Sequence, residues 1–216
     1  MKFSLIRPAA LLAMALGLAS CGGGGDDDSF TVGGTIKGLE YPNLVLTNNG
    51  GDNINVAPPA KAGDVVTYTF PKKLEYGDTY KVAVLTQPAH QTCGVDPDYP
   101  LSDADTAGRL GAINARFACS INAYAIGGKV NGLTKDNTGL VLANGSTTGS
   151  VEIAPTSTDA TAVSFDYAMP LKVQYNQTYS VTIVTQPTGR FCTVENPAGT
   201  MGDAPVTNIN INCVPR

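Results

Sequence analysis

The chain has 216 residues, 43% hydrophobic and only 15% charged, with 24 Gly and 14 Pro. A net charge of −4 argues against nucleic acid as a partner, since phosphates call for a basic face. A single His and no Trp leave hydrolytic triads and zinc sites short of the imidazoles they use.

Residues 1–20 place Lys2 and Arg7 ahead of an apolar stretch, Ala9 to Leu18, that ends in small residues. This is the pattern of a cleaved secretory signal peptide. The apolar run is too short to span a bilayer, which takes about 20 helical residues. The cleavage region, Leu18-Ala19-Ser20-Cys21, resembles the bacterial lipobox. That resemblance implies a diacylglycerol on the Cys21 sulfur and an acylated new N-terminus, and two or three acyl chains anchor stably where one does not. With Gly22 rather than Asp next, the resemblance extends to sorting to the outer membrane.

Residues 21–29 form the expected lipidated tether. The Gly run of 22–25 is flexible and Asp26, Asp27 and Asp28 repel one another. The eight residues after Cys21 reach at most about 28 Å. No Lys-Ser/Thr follows the glycines, so they do not read as a phosphate loop.

From Phe30 onward the sequence is one module written twice. Gly33-Gly34 matches Gly127-Gly128, and Leu44-Val45-Leu46 matches Leu140-Val141-Leu142. Asn49-Gly50 matches Asn144-Gly145, and the strand at Val66–Phe70 matches that at Val163–Tyr167. Tyr76–Tyr80 matches Tyr175–Tyr179, and both copies then carry Thr-Gln-Pro. Cys93 matches Cys192 and Cys119 matches Cys213. The domains are expected at 30–121 and 122–216.

Inside each copy the apolar period is two. Val66, Tyr68 and Phe70 alternate with Thr67 and Thr69, and Ile209 and Ile211 alternate with Asn208 and Asn210. This is the signature of half-buried strands, punctuated by Gly, Pro and Asn. Each copy reads as about seven short strands in about 90 residues, so the expected fold is all-β, two tandem antiparallel β-sandwich domains. The segment Leu74–Tyr80 looks like the tyrosine-corner segment of fibronectin-type sandwiches, and Val173–Tyr179 repeats it. The likeness makes Tyr80 and Tyr179 the corner tyrosines, with turn positions Gly77 and Asn176 suited to positive φ.

Five Cys is an odd number, and Cys21 accounts for the odd one. The remaining four allow three pairings. The repeat selects bridges Cys93–Cys119 and Cys192–Cys213, each worth about 3–4 kcal/mol by the loop-entropy model. An oxidising compartment suits them.

Chemistry is sparse. His90 follows the first Thr-Gln-Pro, its counterpart is Gly189, and it reads as an exposed loop residue. The first copy carries an eight-residue extra within the stretch 94–108, which holds Asp96, Asp98, Tyr99, Asp103 and Asp105. Two Asp-x-Asp pairs are donors a calcium ion accepts, but the spacing fits no EF-hand. A solvated insertion is the plainer reading, and no cofactor is expected beyond the lipid on Cys21.

The order of these elements resembles modules repeated in proteobacterial surface lipoproteins, over residues 18–213. The resemblance implies immunoglobulin-like extracellular domains and supplies no activity. The expectation is a non-enzymatic, outer-membrane-anchored protein that binds, adheres or scaffolds at the cell envelope. Its partners would be the membrane, through the lipid, and an envelope protein or surface glycan. The alternative is a carbohydrate-binding module, which 7% aromatic residues serve poorly.

Overall fold

The structure is a computed structural model that describes residues 29–155 and 161–216. The expected signal peptide, Cys21 and the tether lie outside the described residues. The first repeat forms β1 (Phe30–Lys37), β2 (Leu44–Asn48), β3 (Asp52–Val56), β4 (Val66–Leu74), β5 (Thr79–Thr86), β6 (Gln91–Val95), β7 (Ala104–Thr106) and β8 (Ala115–Ile121). The second forms β9 (Ala123–Tyr124), β10 (Gly127–Leu133), β11 (Leu140–Asn144), β12 (Ser146–Ile153), β13 (Val163–Ala168), β14 (Val173–Gln174), β15 (Thr178–Thr185), β16 (Arg190–Glu195), β17 (Ala198–Thr200) and β18 (Asn210–Pro215).

Alternation decides which face each strand buries. In β4, Tyr68, Phe70 and Leu74 are buried while Thr67, Thr69 and Lys72 are exposed. Two four-stranded sheets, ordered β4-β1-β8-β6 and β3-β2-β5-β7, enclose one cluster that includes Ile36, Leu44, Phe70, Val82 and Phe117. The second repeat repeats this with β13-β10-β18-β16 and β12-β11-β15-β17 around Val130, Leu142, Val181, Ile209 and Ile211. The architecture is all-β and of sandwich type.

The sheets depart from a wholly antiparallel pattern at one place in each repeat. The first and last long strands run parallel, β1 beside β8 and β10 beside β18. The chain reaches β8 from β7, in the opposite sheet, so the approach is a crossing loop rather than a hairpin.

The bridges are Cys93–Cys119 and Cys192–Cys213. In each, the two cysteines stand directly opposite on neighbouring strands, β6 with β8 and β16 with β18. They staple strands within one sheet rather than one sheet to the other.

Two matches between the repeats shift. Gly34 faces Tyr68 across β1 and β4, and Gly128 faces Tyr167 across β10 and β13. Tyr68 therefore corresponds to Tyr167, not to Phe165. A slip of two leaves every side chain on its face, so alternation could not detect it. In the turn after β2, Asn48 pairs with Val82 as Asn144 pairs with Val181, and Asn49 N donates to Lys81 O as Gly145 N donates to Ser180 O. Asn48, not Asn49, is thus the counterpart of Asn144.

Candidate functional site

Repeated residues explain themselves as framework. The Tyr68 hydroxyl donates to the Ala115 carbonyl at 2.9 Å, and that of Tyr167 to the Ile209 carbonyl at 2.9 Å. Each passes a glycine that has no room for a side chain. A Cβ on Gly34 would lie 1.7 Å from the Ala115 oxygen, and one on Gly128 would lie 2.2 Å from the Ile209 oxygen. Burial holds the Tyr68 hydroxyl well above its ordinary pKa and pushes Tyr167 up to about 12.

The Gln of each Thr-Gln-Pro turns back on the edge strand. Gln87 Oε1 accepts from Cys93 N at 2.7 Å, and its Nε2 donates to Cys93 O at 3.0 Å. Gln186 does the same to Cys192, at 2.8 and 3.0 Å. These side chains occupy the outward backbone groups of Cys93 and Cys192, on the edge strands β6 and β16.

Tyr80 and Tyr179 begin their strands after turns in which Gly77 and Asn176 have φ of 92° and 62°. The turns form as expected. Among the described residues, however, the tyrosine hydroxyl bonds to backbone are those of Tyr68 and Tyr167. Tyr80 is buried in the core, and burial followed by Asp105 and Asp103 raises its pKa. Tyr179 packs against Gly199.

The acidic loop of the first repeat is drawn into pairs. Lys37 Nζ, from β1, lies 2.9 Å from Asp96 and 3.0 Å from Asp98. An ammonium thus stands where a cation bound to that Asp-x-Asp would stand. Asp96 holds the Lys37 pKa above its usual value, with Asp98 adding to it, and Lys37 holds that of Asp96 below the usual carboxylate range. Asp105 pairs with Arg109 at 2.9 Å, while Asp103 offers its backbone carbonyl to Val82 N. The Tyr99 ring carries the Arg116 guanidinium on one face at 3.8 Å. No group of three or more His, Cys, Asp or Glu suited to a metal occurs among the described residues.

A hollow of about 400 Å³ is lined by Asn48, Asn49, Gly51, Asp52, Lys72 and Leu74. Part of its polar lining is already engaged: Asn49 donates to Thr79 O, and Asp52 accepts from Lys72 N.

The cluster that belongs to neither repeat alone lies at their joint. His90 was expected in an exposed loop, and the structure corrects this. Its ring stacks on Tyr175 with centroids 3.7 Å apart and planes 3° apart. Tyr41 meets both rings edge-on, at 5.0 Å from His90 and 5.7 Å from Tyr175. His90 Nδ1 lies 2.8 Å from the Asp203 carboxylate, 113 positions along the chain. A backbone φ of 58° at His90 aims the ring across the joint. Backbone bonds close the seam: Asn122 N donates to His90 O, and Tyr175 N donates to Asn122 O. Thr92 Oγ1 adds a bond to Asn122 Oδ1 at 2.8 Å.

The sequence reading missed Tyr41, Tyr175 and Asp203. One signal was present, the repetition of Tyr76 as Tyr175 at a turn position outside the strand alternation. The chemistry on offer is stacking, an imidazole–carboxylate bond and three aromatic faces, all directed at holding two bodies together. No protein-family model matches the chain, and no curated protein matches it in sequence.

Proposed function

We propose that the chain is a non-enzymatic lipoprotein, anchored in the outer membrane through Cys21, whose two immunoglobulin-like domains act as a stiff binding or scaffolding unit at the cell envelope. The observation that carries this reading is the joint. The passage between the repeats is the single residue Asn122, between β8 and β9, and it is reinforced by the Tyr41–His90–Tyr175 stack and by the His90–Asp203 bond. Such a joint fixes the second domain relative to the first, which a spacer or display arm needs and a freely jointed string lacks. Framework side chains fill the repeated motifs, so a partner surface falls to the parts that differ, the loop from Asp96 to Asn114 above all.

The anchor is tested by metabolic labelling with a palmitate analogue. The chain takes up label and Cys21→Ala does not; label retained in Cys21→Ala removes the lipid. The rod is tested by small-angle scattering. His90→Ala should increase the spread of interdomain distances, and an unchanged profile removes the stiff joint.

A further inference from the structure

We propose that the Tyr76 end of the first repeat is, among the described residues, the uncovered counterpart of the same joint, and that it docks on the headgroup region of a phospholipid bilayer. This rests on the lipid-anchor reading above.

Tyr76 and Tyr175 are structural counterparts. Each is followed by a positive-φ residue whose N–H donates to a carbonyl, Gly77 to Ala107 O and Asn176 to Met201 O. In return Ala107 N donates to Asp78 O, as Met201 N does to Gln177 O. At the second repeat this turn is covered by His90 and Tyr41 of the repeat before it. At the first repeat the residues before it are the tether, and Tyr76 is 76% exposed. Its ring lies 6.4 Å from that of Phe30 and against Gly108, with Leu110, 56% exposed, two positions further on. An aromatic and a leucine are presented beside Phe30, at the start of β1.

A second copy does not complete this half-joint. The far end of the second repeat has Gly189 where His90 would be needed, and Arg216 N bonds to Gly189 O. The equivalence of Ala107 with Met201 puts Arg109 where the joint has Asp203. Arg109 would then face Gly189, with no ring to stack on Tyr76 and no imidazole–carboxylate bond.

A bilayer surface fits instead. Eight residues separate Cys21 from Phe30, so an anchored chain keeps this end within about 30 Å of the lipid. A connection of that length gives an effective concentration of the order of millimolar, enough for a weak contact to be occupied. Tyrosine and leucine suit the boundary between headgroups and acyl chains. Lys72, Lys73 and Arg109 are matched by Glu75, Asp78 and Asp105, so the contact should depend on apolar burial and respond little to salt.

The chain lacks Trp, so one introduced indole reports its own surroundings. The chain from position 21 on, with Cys21→Ser and an N-terminal hexahistidine, is held on phosphatidylcholine vesicles containing nickel-chelating lipid. Part of the phosphatidylcholine is brominated on its acyl chains near the headgroup. In Tyr76→Trp the emission should fall by about half, while in Phe191→Trp, on the second repeat, it should be unchanged. Adding Leu110→Ser should weaken the quenching. Equal emission from the two variants with and without bromine overturns the proposal. So does an indole at position 76 that is already shielded without lipid in a chain sedimenting as a dimer, which would put a second copy there. Quenching without palmitate labelling of the natural chain would remove the anchor and keep the docking surface. Labelling without quenching would remove the docking surface alone.

Discussion

In both repeats a tyrosine hydroxyl passes a glycine to reach a backbone carbonyl, and a glutamine closes the edge strand that carries a buried cysteine. Between β6 and β8 and between β16 and β18 the likeness stops. The first repeat spreads Asp96 to Asn114 over that gap and ties it with Lys37, whereas the second crosses from Asn196 to Ile209 with a shorter segment. The ends differ as well, with Tyr175 stacked and Tyr76 in the open. The clamps that hold each sandwich are duplicated, and what is not duplicated lies in the loop after β6, at the joint and at the Tyr76 end.

The comparison breaks most readily at the glycines. Gly34→Ala and Gly128→Ala each force a methyl into a carbonyl, and each should cost its own repeat about 4 kcal/mol. Calorimetry should show only the substituted repeat losing its transition. A change below about 1 kcal/mol at either position would mean that the two clamps are not equivalent.

Tyr68→Phe and Tyr167→Phe are smaller, about 1 kcal/mol each at neutral pH, for one hydrogen bond to a buried carbonyl. Their pH dependence sharpens the contrast. Folding raises both hydroxyl pKa values, so their contribution is complete below the unfolded tyrosine value, near 10. It fades as the pH rises through the folded values, about 12 for Tyr167 and higher for Tyr68. Tyr80 shifts in the same direction in the first repeat. The first repeat should therefore be the first to unfold in an alkaline titration followed by circular dichroism, and Tyr68→Phe should flatten its curve.

The smallest effect is confined to the first repeat. Lys37→Met should speed hydrogen exchange at the Asp98 amide, which Asp96 holds at 3.1 Å, and leave the second repeat unchanged. The lowered Asp96 pKa sets the sign. The pair contributes above the usual carboxylate range and is lost as the pH falls through the folded value. The difference between Lys37→Met and the parent should vanish in strong acid.

Strand faces and cysteine pairs were legible because both follow from a period of two and a repeat. Val66, Phe70, Ile209 and Ile211 declare their faces locally, and Cys93–Cys119 follows once each copy keeps its own bridge. The tyrosine that bonds to backbone was not legible. Tyr68 and Tyr80 are both buried strand tyrosines, and only the neighbour across the sheet, Gly34 beside Ala115, separates them. Nor was the joint, since His90 meets Asp203 from 113 positions away. Lys37 likewise gave no sign that its partners lie two strands across.

The glutamine bonded to Cys93, and its twin at Cys192, bear on how densely such a molecule can be packed. On the proposed lipid-anchor reading, copies held on one leaflet meet in two dimensions at high local density, the condition in which bare strands recruit one another into fibrils. With these two margins already occupied by their own side chains, lateral growth through them would first have to displace a two-point bond. Gln87→Ala would expose that margin without touching the core, and its cost would show as slow polymerisation in storage rather than as a lower melting temperature.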